Sequence, residues 1–366
     1  MLDPRRSLLA AALLLAACAK PEPVRLGLVS GLSGRHSDLG LSSRNGAVLA
    51  TEELNAAGGV RGRPLELVVR DDRNDPEVAR RAVEELVQTG VVAIVGHATS
   101  AMAEATLPIL DRSGVLMVSP TVSATSFRGR DDGFVMLYPS NDLSARALVT
   151  HLTRAGGARR VSAILDLSNA AFTRTWLEAF REATEARGGR VVGEVPFTSG
   201  EAPAWGALVD AALAPKPDAL LVLANAFDTA ALAQQLRKRG SNVALLGSDW
   251  GFTSDALAHG GSAMEGALFT LKIDVTSDAP GIRGFRDAYR ARFGRPPDFA
   301  AVLAAEAVQL LAAGLTEGAD RRTLKAAVVG RTHHGLVGDV VIDASGDARR
   351  EVYVMTVRDG RIERVR

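Results

Sequence analysis

A single cysteine, Cys18, stands in the 366 residues, so no intrachain disulfide and no cysteine-based zinc site can form. Lysine is scarce: Lys20, Lys216, Lys238, Lys272 and Lys325 are five among 43 basic residues. Those 43 meet 42 Asp and Glu, for a formal net charge of +1, and the arginines are scattered among acids. Such a balance gives no electrostatic footprint for nucleic acid. Beyond residue 17 no apolar run is expected to span a membrane. With 47% hydrophobic and 23% charged residues, the chain is neither disordered nor fibrous.

Signatures of chemistry are missing too. Gly27, Gly31 and Gly34 lie four and three apart, not in the dinucleotide pattern, and no glycine precedes a lysine as a phosphate loop requires. Gly31-Leu32-Ser33-Gly34 lacks the spacing of a nucleophile elbow. None of the six histidines falls in a metal-ligand pattern, and the adjacent His333 and His334 read as a solvated turn. Asp71, Asp72 and Asp75 lack the glycine and distal glutamate of a calcium loop. Asp75 is better read as a helix N-cap, with Pro76 at the first helical position. The expectation is a protein without catalytic residues, cofactor or metal.

What is present begins at the N-terminus. Arg5 and Arg6 precede an apolar run over 8–17, too short to cross a bilayer but suited to a signal peptide. Leu15-Ala16-Ala17-Cys18 looks like a bacterial lipobox. In that reading residues 1–17 are removed, Cys18 carries the acyl chains, and 18–23 form a tether.

Short apolar runs then alternate with segments of helical period. Strands are expected at 24–30, 65–70, 91–95, 115–118, 160–165, 190–195, 219–223 and 243–246, with helices between them. This alternation predicts an α/β protein with doubly wound parallel sheets, made of two similar units; at 366 residues the length also suits two domains. Further helices are expected at 280–293, 298–313 and 320–329, then strands near 337–342 and 352–357.

In open sheets of this kind, ligands bind beyond the carboxyl ends of the strands. There the first unit offers Ser100 after one strand, and Thr121 and Ser123 after the next. Hydroxyls and free backbone N–H groups at a helix N-terminus suit a carboxylate. The second unit offers Asp249 beside Trp250, a carboxylate able to pair with an ammonium group. Together they suit a zwitterion; alternatively Ser100 and Ser123 are plain N-caps and Asp249 a solvated loop acid.

The residues resemble the type I periplasmic binding proteins, in the branch that serves importers of branched-chain amino acids. The resemblance is carried by Leu32-Ser33-Gly34-Arg35, by RNGAVLATEELNAAGGVRGRPLELVVRDDRNDP over 44–76, and by VVAIVGHATSAMAEATLPIL over 91–110. GVLMVSPTVSAT over 114–125 and GLVGDVVIDASGD over 335–347 add to it. It implies two doubly wound lobes joined by three hinge crossovers, near 138–142, 270–273 and Leu336. Residues 24–139 with 273–335 would form one lobe, and 140–272 with 336–366 the other. Ligand would sit in the cleft and be trapped by closure, held by Ser100, Thr121 and Ser123 at its carboxylate and by Asp249 at its ammonium group. Phe172, Leu39 and Asn225 fall where the family's amino-acid binders carry tyrosines, which leaves the ammonium end altered. The resemblance further implies a lipid-anchored component of an ABC importer that meets permease and ATPase subunits; a ligand-sensing receptor on the same fold is the alternative.

Overall fold

Val24–Ser30 (β1) buries six of its seven side chains, because the strand lies in the middle of a sheet covered on both faces. It pairs in parallel with Leu65–Asp71 (β2) on one side and Ala93–Gly96 (β3) on the other. We describe a computed structural model of the chain, over residues 21–34, 37–200 and 203–365; Cys18 and the leader lie outside the described residues. Leu116–Ser119 (β4) and Phe134–Met136 (β5) complete a five-stranded parallel sheet ordered β2-β1-β3-β4-β5. Strand order reverses between β1 and β3.

Its helices are Asp38–Ala56 (α1), Pro76–Gln88 (α2) and Ser100–Ser113 (α3). Asp75 caps α2, its carboxylate accepting from the N–H groups of Glu77 and Val78 with Pro76 next in line, as the sequence predicts.

The chain leaves this sheet after β5 and enters a second unit through Asn141–Arg154 (α4). Arg160–Asp166 (β6), Arg190–Phe197 (β7), Ala219–Leu223 (β8), Ala244–Gly247 (β9) and Leu268–Leu271 (β10) run parallel, alternating with Ala170–Glu185 (α5), Trp205–Leu213 (α6), Ala226–Lys238 (α7) and Ser254–Gly260 (α8). After β10 the chain returns to the first lobe with Pro280–Phe293 (α9), Phe299–Thr316 (α10) and Leu324–Val328 (α11). A small antiparallel sheet of Arg331–Gly335 (β11), Gly338–Ile342 (β12) and Ala348–Arg349 (β13) follows. Tyr353–Arg358 (β14) and Arg361–Arg364 (β15) then close the second sheet, ordered β15-β14-β10-β9-β8-β6-β7, with β14 antiparallel to β10.

The third crossing therefore lies between Arg349 and Tyr353, not near Leu336. Residues 338–349 stay with the first lobe: Met136 bridges Asp347, and Met136 N donates to the Gly346 carbonyl. His333 and His334 also depart from the sequence reading. They lie on β11 rather than in a turn, His333 Nε2 against the Val328 carbonyl and His334 Nδ1 against Asp339.

Helix α10 is apolar and long enough, by length and composition, to cross a membrane, against the expectation that no such run follows residue 17. It is the core of the first lobe instead. Most of it is buried, packed against α1, β3 and β4. Gly46 of α1 makes that approach possible, since a Cβ there would lie 1.9 Å from the Ala301 carbonyl oxygen.

Candidate binding cleft

The first lobe's wall of the cleft is two strand-to-helix loops tied to one another. Thr121 Oγ1 donates to the Ala98 carbonyl at 2.7 Å, and Ser119 Oγ donates to the His97 carbonyl at 2.9 Å. Ser119 Oγ in turn accepts from Val122 N, and Ser100 Oγ from Ala124 N at 3.4 Å. Beneath them the buried His97 places Nδ1 2.7 Å from Asp72 Oδ2. These bonds fix the loops, so the hydroxyls are held by the scaffold before any ligand arrives. Ser100 is the first residue of α3 and does not cap it; the cap position is Thr99, whose side chain makes no capping bond.

The second lobe's wall is built at the ends of β6 and β9. Asp166 accepts from the N–H groups of Ser168 and Ser199 and so fixes the turn that presents Asn169 and, in the first turn of α5, Phe172. Phe172 meets Trp250 edge to face, with ring centroids 5.8 Å apart. Asp249 follows β9 and is buried.

Between the walls lies a narrow space of about 10 Å³. Leu39, Ala98, Ser100, Thr121 and Phe299 line it from the first lobe, and Asn169, Phe172, Asp249 and Trp250 from the second. A neighbouring space of about 30 Å³ shares Leu39, Ala98, Asn169 and Trp250 with it. A larger depression, about 620 Å³, opens on the first lobe near Val24 and Arg321, away from these strand ends and with no wall from the second lobe.

The lobes are closed on one another. Ala101 N, in the first turn of α3, donates across the cleft to Asn169 Oδ1 at 3.1 Å. Thr253 Oγ1 reaches Asp38 Oδ2 at 3.2 Å, and Arg295 reaches Asp255 at 3.4 Å. Burial, helped by the charges of Asp298 and Asp255, pushes the Asp38 carboxyl up to about 6.

Four of the expected residues thus meet in one place: Ser100, Thr121, Phe172 and Asp249. Ser123 lies behind them, fully buried, with its hydroxyl unpaired. Asn225 is elsewhere. It is the N-cap of α7, its Oδ1 accepting from Asp228 N while its amide donates to Asp228 Oδ2 and Ser199 Oγ. Asp249 is neither the solvated loop acid nor the open counter-charge the sequence suggested. Lys272 Nζ, also buried, sits 3.1 Å from its Oδ2 and 3.9 Å from the Tyr138 ring centroid. Burial pulls the Lys272 ammonium below its ordinary range while Asp249 opposes it; Tyr138 is pushed well above its own range by burial and by Asp249. Tyr138 stacks on Phe299, and its hydroxyl accepts from Lys272 N at 3.2 Å. Sequence reasoning did not find Lys272, Tyr138, Phe299 or Asn169 for the site.

Two lobes closed over a buried site at the strand ends define a solute-binding architecture, and a family model described as "Periplasmic binding protein" matches residues 23–361. The chain belongs to this family. It falls in the type I branch that includes the Leu/Ile/Val-binding proteins. Among relatives, the Leu/Ile/Val-binding protein BraC3 of Rhizobium johnstonii is 26% identical over 329 residues, 88% of each chain. The leucine binding protein LivK of Thermotoga maritima superposes with a TM-score of 0.86 at 25% identity, over 94% of this chain and 98% of that one. A solute binding protein of an ABC transporter from R. palustris, in complex with benzoate, also gives 0.86, at 20% identity over 94% and 95% of the two chains. Periplasmic binding proteins are extracytoplasmic receptors and not enzymes.

Proposed function

We propose that this periplasmic binding protein captures a small carboxylate in the interlobe cleft and delivers it to an ABC importer, held at the membrane by a lipid on Cys18. One observation carries the reading: the space between the lobes has the Ser100 hydroxyl and a helix N-terminus on one wall and aromatic rings on the other. Ser100 and the positive end of α3 would take the carboxylate, with Thr121 bracing the loop through its bond to Ala98, and Phe172, Trp250 and Phe299 would hold the apolar remainder. The ligands named for similar proteins, branched-chain amino acids and benzoate, are small carboxylates with apolar bodies.

A thermal-shift screen of amino acids, keto acids, aromatic acids and uncharged amides tests this. A ligand at about 100 times its Kd stabilises by about 2.7 kcal/mol, enough to move Tm clearly. A response to uncharged amides alone would overturn the carboxylate reading. Anchoring is tested apart from binding: Cys18→Ser should lose lipid labelling and accumulate as the unprocessed precursor, and unchanged labelling would refute the lipobox.

A further inference from the structure

Among the described residues, the cleft holds one charged side chain on its walls, Asp249, and that charge is already balanced. Lys272 stands behind it at 3.1 Å, with both side chains withdrawn from solvent. The lysine has nowhere to go. Its ammonium lies over the Tyr138 ring and its backbone N–H is held by the Tyr138 hydroxyl, at the points where the chain makes its first and second crossings between lobes. An ammonium-bearing ligand would have to share the Asp249 carboxylate with Lys272, bringing two cations to one acceptor in a closed, dry site. A ligand carrying only a carboxylate meets a neutral pair, the Ser100 hydroxyl and the positive end of α3. The rest of the lining is apolar: Leu39, Phe172, Trp250 and Phe299.

We infer that Lys272 is a specificity-determining residue: by occupying Asp249 from the hinge side, it restricts the cleft to small apolar monocarboxylates that lack an α-ammonium group. This rests on the carboxylate-cleft reading above and narrows it.

Matched pairs separate the two. Isothermal titration of the mature protein would use phenylalanine against 3-phenylpropionate and phenylpyruvate, and leucine against 4-methylpentanoate, with benzoate as a further acid. Within each pair the deaminated acid is expected to bind at least about tenfold more tightly. Equal or tighter binding of the amino acids overturns the inference and leaves the cleft reading standing. Silence from every compound overturns both.

The charge variants give a second readout with opposite signs. Lys272→Met bares the Asp249 carboxylate, so the preference for deaminated acids should shrink by about tenfold or reverse. Asp249→Asn leaves Lys272 as a surplus positive charge, so the preference should widen. Because each single variant strands a buried charge and is open to misfolding, Asp249→Asn/Lys272→Met is made alongside; its pocket is again neutral, and the parent's preference should persist. Ratios unchanged within about twofold in both single variants would show that Lys272 does not set specificity.

Discussion

Asp249 and Lys272 face each other 3.1 Å apart with neither reaching solvent, so each carries the other's desolvation. Removing one partner leaves an uncompensated buried charge, at a cost of about 3–5 kcal/mol. Asp249→Asn and Lys272→Met should therefore each lower the urea midpoint, while the double variant regains most of the loss. Additive losses in that cycle would mean that the pair does not act as a unit. Ser100 behaves differently. Its Oγ accepts only a long bond from Ala124 N, so Ser100→Ala should barely move Tm. For a bound carboxylate the same change should cost about 1–2 kcal/mol of affinity by titration, because a hydrogen bond to a charged group is lost.

At the scale of elements, the first lobe depends on how closely α1 and α10 cross. An added Cβ at Gly46 would meet the Ala301 carbonyl oxygen, which is backbone and cannot swing aside. Gly46→Ala should cost about 1–3 kcal/mol by chemical denaturation, and should also weaken ligand binding because α1 carries Leu39 into the cleft. An unchanged denaturation midpoint would show that the crossing has slack. The sequence made the longer elements legible: β8 and α9 lie at the expected residues, since a run of five apolar residues and a proline-started amphipathic segment have few other solutions. It did not reveal β5 or β10, which are three and four residues long, or β11 and β15, whose Arg-Thr-His-His-Gly and Arg-Ile-Glu-Arg carry almost no apolar alternation. The hydroxyls at the ends of β3 and β4 were legible because strand ends attract ligands in this architecture. Lys272, Tyr138 and Phe299 were not. They reach the cleft along the crossings between lobes and after the chain's return, which no local pattern marks. Asn225 carried its own correction: an Asn three residues before an Asp at a helix start is a capping signal, and the structure uses it so.

At the scale of the whole molecule, closure brings like charges together. Asp38 of the first lobe meets Thr253 and the charge of Asp255 from the second, and its carboxyl stands raised to about 6. Its folded value exceeds the ordinary one, so its contribution is fully present below about pH 4 and is lost as pH rises through 6. Opening relieves part of that burial, so protonation and closure are linked. Ligand affinity should fall between about pH 4 and 6.5, and Asp38→Asn should flatten the profile; a parent-like slope in that variant would place the titrating group elsewhere. The central claim is that a small carboxylate binds between the lobes, and Trp250, on the wall of that space, reports on it directly. The decisive measurement is a tryptophan-emission titration of the mature protein with the carboxylate that most raises its Tm, repeated on Trp250→Phe. The account expects a saturable, one-site change that disappears in Trp250→Phe. It is contradicted if the acid raises Tm yet leaves Trp250 emission unchanged, since the ligand would then bind outside the cleft.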